Sequence, residues 1–234
     1  TDVEGVYTTD PRIVDKARKL THITYEEMLE MASQGAKVLQ TRAVELAMNQ
    51  GVRLQVRSAF VDAPGTLVVD EDEIVEQQVV SGIAYSRDEA KITIVGVEDR
   101  PGVAVGIFGP LSDSGINVDM IVQNISAESG RTDITFTVGQ SDFDRASALL
   151  DEIGKTINYR SIDLDDNVVK ISVIGVGMRS HAGVAKQMFG ALAGKGINIQ
   201  VISTSEIKIS ILIADEYAEL ALRALHTEYG LDLD

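Results

Sequence analysis

Around Ile92, Ile94, Val95 and Val97, in KITIVGV, apolar residues recur at nearly alternate positions, the two-residue period of a strand. A glycine-bearing loop follows, and the period then lengthens to that of a helix, with Val103, Ile107, Phe108 and Leu111 on one face. The same sequence of periods returns from Lys170. KISVIGV carries Ile171, Val173, Ile174 and Val176, and Val184, Met188, Phe189 and Leu192 form the second helical stripe. GINVD at Gly115 and GINIQ at Gly196 close the two helices, each glycine in the position past the helix end where a left-handed backbone is cheap.

Beyond these glycines both copies continue alike. INVDMIVQ and INIQVIS predict a second strand, and TDITFTV and EIKISILI a third. SDFDRASALLDEIGK then predicts a helix capped by Ser141, and DEYAELALRALHTEYG one capped by Asp215. The order is strand, helix, strand, strand, helix, and the ferredoxin-like βαββαβ pattern needs one more strand per copy. INYRSIDLD, residues 157–165, supplies it for the first copy, whereas only LDLD follows Gly230 in the second. The unassigned strand-like stretch at residues 79–85 is expected to fill the gap, so that the first copy is inserted into the second. A simple hairpin of that stretch with residues 91–97 is the alternative.

Upstream, THITYEEMLEMASQG has Thr24 and Glu27 at capping-box spacing, with Met28, Leu29 and Met31 as helix core. AKVLQTRAVELAMNQG repeats the helical period and VRLQVR alternates as a strand. DAPGT, residues 62–66, marks a domain boundary, and the acidic run VVDEDEIVEQQ after it reads as a solvated connector.

Composition narrows the partners. The 234 residues carry 21 Lys plus Arg against 36 Asp plus Glu, a net charge of -15 that repels phosphate backbones and anionic membranes. With no cysteine, disulfides, thiolate metal sites and thiol nucleophiles are excluded, which suits a cytoplasmic setting. No apolar run approaches the roughly 18 residues of a membrane helix. His22, His181 and His226 are far apart and show no metal-ligand spacing, and a loop-bracing role suits His181. No G-x-G-x-x-G opens a helix, so a dinucleotide-dependent dehydrogenase is disfavoured.

Two fused βαββαβ units with DRPGV after the first strand resemble a pair of ACT domains, small amino-acid-binding regulatory modules. VISTSEIKIS at residues 201–210, TDVEGVYTTDPR at the start and GAKVLQTRAVELAMNQGVRLQVRS at residues 35–58 narrow the resemblance to aspartokinase, over essentially the whole chain. That family phosphorylates the side-chain carboxylate of aspartate. The implied fold class is α+β: two ferredoxin-like ACT domains preceded by the C-terminal remnant of an α/β amino-acid-kinase domain. Residues 1–62 would be the kinase part, 63–78 a linker, 91–166 the first ACT domain, and 79–90 with 167–234 the second. The opening reads as the continuation of a longer chain. The family's glycine-rich phosphate-binding segment and aspartate-binding residues are not in this sequence, so no catalytic residue is assigned and catalysis by these residues alone is not expected.

The resemblance implies that Asp2, Tyr7, Arg12 and Lys37 line the site of ATP, which acts with Mg in the intact enzyme. On their own chemistry, Asp10, Thr8 and Thr9 before Pro11 equally suit a braced turn. For feedback inhibition by threonine, lysine or both, a zwitterion needs backbone N–H groups for its carboxylate and oxygens for its ammonium. Pro101, Gly102 and Ala104 offer the first, with Asp99, Asp119 and Gln123 as ammonium partners. The second loop, GMRSHAGV, is two residues longer and lacks the acid, so Asn198 and Ile199 are expected only to face a ligand held by the first unit. A tight turn around Asp99 and Gly102 is the plainer reading. The implied partners are small amino-acid effectors and either further copies through the ACT domains or a second aspartokinase subunit. A separate amino-acid-sensing subunit is the alternative, against which the nucleotide-site stretch argues.

Overall fold

The computed structural model describes residues 1–74, 78–126 and 130–233, so residues 75–77 of the acidic run lie outside the described residues. The chain divides into two compact units, one built from Thr1–Ser86 with Lys170–Asp234 and the other from Arg87–Val169.

Strand β1 (His22–Thr24) leads into helix α1 (Tyr25–Ser33), and the Thr24/Glu27 capping box is formed in both directions. After α2 (Thr41–Gln50) come β2 (Leu54–Val56) and β3 (Thr66–Val69), giving a sheet of order β1-β3-β2. Met28 and Met31 are buried with Val44, Ala47, Val56 and Val68, so the methionine-bearing helix is a core helix. The boundary expected at residues 62–66 lies too early. Thr66, buried, accepts a hydrogen bond from Val6 N (2.8 Å) and donates to Leu20 O (2.6 Å), and the β-branched TLVV becomes the central strand. Only from Asp70 does the acidic run leave the core, as a 3-10 turn at Glu71–Glu73. Strand β4 (Gly82–Ser86) ends this part of the chain.

The unit Arg87–Val169 contains β5 (Ala90–Glu98), α3 (Val103–Asp113), β6 (Val118–Ser126), β7 (Arg131–Val138), α4 (Phe143–Ile153) and β8 (Ser161–Asp165). Its antiparallel sheet runs β6-β7-β5-β8. Ile92, Ile94, Ile107, Leu111, Ile134, Phe136 and Leu150 fill the layer against the helices, with Phe108 edge-on to Phe136 at 5.2 Å. Gly115, at φ 71°, follows the α3 cap as its period required. Ser141 does not cap α4: it lies inside a 3-10 turn, Gln140–Asp142, that precedes the helix. That turn is fixed instead by Gln140, whose Nε2 donates to Glu89 O (2.9 Å) and Asp166 O (2.7 Å).

Strand β9 (Val168–Ile174), α5 (Val184–Gly194), β10 (Val201–Thr204), β11 (Lys208–Ala214) and α6 (Ala218–Glu228) complete the second copy. Asp215 falls in a 3-10 turn, Asp215–Tyr217, and again does not cap the helix. The sheet order is β10-β11-β9-β4, with Gly82 opposite Ile174 and Ser86 opposite Lys170. The fourth strand therefore comes from before Arg87–Val169. The hairpin alternative is excluded, because the neighbours of β5 are β7 and β8. All of β9 is buried, and Ala84 and Ile174 also belong to the core around Met28. Gly35 permits this approach. At φ 112° it lies so close to β4 that a Cβ would meet Tyr85 O at 2.1 Å.

Candidate functional site

In the unit Arg87–Val169, β5 delivers the chain to an exposed loop, Asp99 to Gly102, directly before α3. Gly102 occupies the N-cap with no side-chain cap, so no side chain shields the first-turn N–H groups. Ala104 is exposed and small, leaving that end of the helix open. Asp99 is exposed, its own N–H donating to Gly130 O (3.1 Å). A helix N-terminus three residues after a carboxylate offers opposite charges close together, which is what an amino-acid zwitterion needs.

Asp119 is not brought to that end. The register sets Asp119 opposite Thr137 and Lys91 opposite the same Thr137, whereas Glu98 lies opposite Arg131 at the other end of the sheet. At strand rise, this is roughly 20 Å or more from Asp99. Its carboxylate accepts instead from Met120 N (2.7 Å), and Met120 is the single non-glycine residue with positive φ, 47°, among those described. A β-bulge between Asp119 and Val122 accompanies this conformation, turning Met120 into the core while Asp119, Ile121 and Gln123 stay exposed. Gln123, opposite Ile134, sits midway along the sheet, closer to the α3 loop.

The corresponding loop of the other unit is engaged elsewhere. This longer loop contains a 3-10 turn, Val176–Ser180, after which His181 Nδ1 lies 2.8 Å from Gly177 O, so His181 braces the loop. Val176 N donates to Glu27 Oε1 (2.9 Å), and Arg179 pairs with Glu26 (2.5 Å), Glu71 (2.8 Å) and Glu206 (3.6 Å). Asn198 is exposed and Ile199 half-buried, on the turn before β10. The donors of this loop face protein carboxylates, which explains in physical terms why the two loops are not equivalent.

Of the residues expected at a nucleotide, Tyr7 is half-buried and bridged to Lys19, while Lys37 and Asp2 are exposed. Arg12 is held by Asp10, with Nη2 to Oδ2 at 2.7 Å, and Arg12 N closes the turn onto the same carboxylate at 2.9 Å. The Arg12 guanidinium, with smaller help from Tyr85, keeps the Asp10 carboxyl below the usual carboxylate range. Asp10, and more weakly Asp2, hold Arg12 protonated, so the two acids and the arginine share one locality.

Two buried groups escaped the sequence reading. Glu27 is visible as half of a capping box, but its Oε1 also accepts from Ser81 Oγ (2.6 Å). His226, on α6 and fully buried, places Nε2 2.9 Å from Thr8 Oγ1 and leaves Nδ1 without a partner. Burial holds its pKa below the ordinary value, opposed by Asp232 and reinforced by Arg18 and Lys16. A lowered folded pKa means that the unfolded chain takes up the proton first. Stability is therefore full above about pH 6.5 and declines as pH falls below it, by at most about 1.4 kcal/mol per pH unit from this group. Thermal unfolding of wild type and His226→Gln between pH 7.5 and 5 checks this, since the variant should lose that part of the slope.

Residues 1–58 match the amino acid kinase family, and residues 91–155 and 171–229 each match the ACT domain family. An aspartate kinase of Pseudomonas fluorescens is 57% identical over 99% of this chain and 56% of its own length. In the crystal structure of aspartokinase alpha and beta subunits, one chain is 50% identical, with a TM-score of 0.61, over 64% of this chain and 99% of that one. The chain belongs to the aspartokinase family. E. coli aspartokinase III in complex with aspartate and ADP superimposes with a TM-score of 0.82 at 27% identity, over 97% of this chain and 51% of that one. The same enzyme is also known with lysine and aspartate, at a TM-score of 0.77. This aspartokinase chain spans about half the length of the curated relatives it matches. Its fold is that of an amino-acid-kinase segment followed by two ACT domains. No helix among the described residues is long and apolar enough to cross a membrane.

Proposed function

We propose that this chain is the nucleotide-side segment and regulatory region of an enzyme that uses ATP to phosphorylate the side-chain carboxylate of aspartate, with threonine, lysine or both as feedback inhibitors. The observation that carries the regulatory reading is the uncapped start of α3 beside the exposed carboxylate of Asp99. The effector carboxylate takes the first-turn N–H groups past Pro101 and Gly102, Asp99 takes the ammonium group, and Ala104 leaves room for the side chain. Gln123 is the partner assigned from β6, while Asp119 is given the task of holding the Met120 turn. Asn198 and Ile199 make a secondary contribution.

On the kinase side, Asp2, Tyr7, Arg12 and Lys37 are assigned to ATP. Phosphoryl transfer rests on positioning and charge neutralisation, for which Arg12 and Lys37 are suited. Among the described residues no group of three or more acidic or histidine side chains could hold a metal ion, and magnesium is assigned to the phosphates of ATP in the full-length protein. No catalytic residue is assigned here, and aspartyl phosphate formation is expected from the full-length protein and not from these 234 residues alone. The domain division proposed is residues 1–74 for the kinase segment, 87–169 for one ACT domain, and 78–86 with 170–233 for the other. Assembly through the ACT domains and a cytoplasmic location complete the reading.

The test is ligand-dependent melting. Threonine, lysine or the pair at about 100 times the dissociation constant should stabilise by roughly 2.7 kcal/mol. Asp99→Ala should remove most of that shift, whereas Asp119→Ala and Ser180→Ala should leave it largely in place. Equal loss in Asp99→Ala and Ser180→Ala would mean two equivalent loops, and no shift in wild type would remove the sensor reading.

A further inference from the structure

Between Tyr7 and Lys19, which form an isolated bridge, residues 8–18 form no strand or α-helix, so something else must hold this segment in place. Within the segment, Thr8 N donates to Arg18 O (2.8 Å), Arg18 N donates to Thr8 Oγ1 (3.0 Å), and Asp10 binds Arg12. Backbone bonds from Ile13 N and Val14 N to Asp10 O and from Ala17 N to Val14 O add to these, and the other anchors come from the second ACT-type module and its strand β4. Ile83 N on β4 donates to Thr8 O (2.7 Å), and Tyr85 OH donates to Asp10 Oδ2 (3.3 Å). From α6, Arg223 Nε donates to Ile13 O (3.0 Å) and His226 meets the Thr8 hydroxyl. In the turn after α6, Leu231 O accepts from Arg18 Nε (2.8 Å) and Asp232 lies 3.7 Å from Lys16.

Thr8 is the centre of this arrangement. It is fully buried, and its N–H, carbonyl and hydroxyl are all engaged. The His226 ring, equally buried, makes its one hydrogen bond among the described residues there. Tyr7 directly precedes Thr8, and Arg12 follows four residues on, held by Asp10.

We propose that His226 is a positioning residue for the nucleotide segment, fixing Thr8 and through it Tyr7 and Arg12 from the regulatory module. The proposal rests on the reading that residues 7–12 line the ATP site. A change in α6 or β4 is thereby transmitted to the segment through direct hydrogen bonds, with no intervening element.

The test has two arms. In this chain, His226→Ala should speed amide exchange at Thr8 and Arg18 by about tenfold, leave the amides of β5 and α3 unchanged, and be corrected by His226→Gln, whose amide reaches the place of Nε2. Thr8→Val breaks the same contact from the other side, and the double variant should be no worse than the more affected single one. In the full-length protein, His226→Ala should raise KM for ATP about fivefold or more, with KM for aspartate unchanged and kcat within about twofold. Unaltered exchange at Thr8 and Arg18 in His226→Ala would overturn the proposal, since Thr8→Val also removes the acceptor of Arg18 N. So would an unaltered KM for ATP in His226→Ala where Arg12→Ala raises it. If Arg12→Ala also leaves KM for ATP unaltered, the nucleotide reading fails, and the positioning role toward ATP falls with it.

Discussion

A chain cut to begin at Lys170 is expected to show no cooperative unfolding transition, whereas Arg87–Val169 alone melts as a folded unit. The reason is the place of β4. Strand β9 lies between β11 and β4, and every one of its residues is buried. Removing β4 strips the ladder from Gly82↔Ile174 to Ser86↔Lys170 and uncovers the edge of a fully buried strand. Val80, Ile83 and Ala84, all buried, go with it. The unit Arg87–Val169 keeps all four strands, both helices and the core from Ile92 to Ile157. Circular dichroism and thermal melting of the two fragments decide the matter. Fusing residues 79–86 to the shorter fragment should restore part of its structure, and a cooperative melt without them would contradict the assigned role of β4.

The second large effect is at Glu27. Its carboxylate accepts from Thr24 N (3.2 Å), Ser81 Oγ (2.6 Å) and Val176 N (2.9 Å), and Glu27, Thr24 and Val176 are each at most 3% exposed. Truncation leaves two buried N–H groups and a hydroxyl without their acceptor, each costing about 1–3 kcal/mol, so Glu27→Ala is expected to lose on the order of 3–5 kcal/mol. For a unit of this size the melting temperature should fall by roughly 10 °C. Glu27→Gln keeps an oxygen for Ser81 and Val176 but turns an amide toward Thr24 N, and should lose about 1–2 kcal/mol. Calorimetry should show the transition of the unit containing residue 27 moving while that of Arg87–Val169 stays. A shift below about 2 °C in Glu27→Ala would show that water replaces the carboxylate at no cost.

Some of this was readable in one dimension and some was not. Helices α3 and α5 were legible because burial imposes the 3.6-residue period on Val103, Ile107 and Leu111 and on Val184, Met188 and Leu192. Counting strands against a repeated unit pointed to residues 79–85, since an unpaired edge is costly. Helix starts misled at Ser141 and Asp215, where a 3-10 turn intervenes and backbone bonds serve the helix entry. The TLVV strand was hidden by its neighbours Pro64, Gly65 and Asp70, which read as loop although Thr66 is anchored from Val6 and Leu20.

For the candidate site, the ACT-domain resemblance carried by DRPGV pointed to the Asp99 to Ala104 loop, where a helix start and a carboxylate are near neighbours in sequence. The separation of Asp119 from Asp99 was not legible, because it depends on strand register, which sequence spacing does not encode. By itself, then, the sequence determined the repeated βαββαβ units, their cores, the acidic field and the family motifs, all of which depend on local period and residue type. Tertiary structure alone decided that Glu27 reaches Val176, that His226 reaches Thr8, and that the second loop is occupied by Glu26, Glu27 and Glu71. Those pairings join residues far apart in the chain, and only the stacking of β4 and α6 on the first part of the chain brings their donors and acceptors within 3 Å.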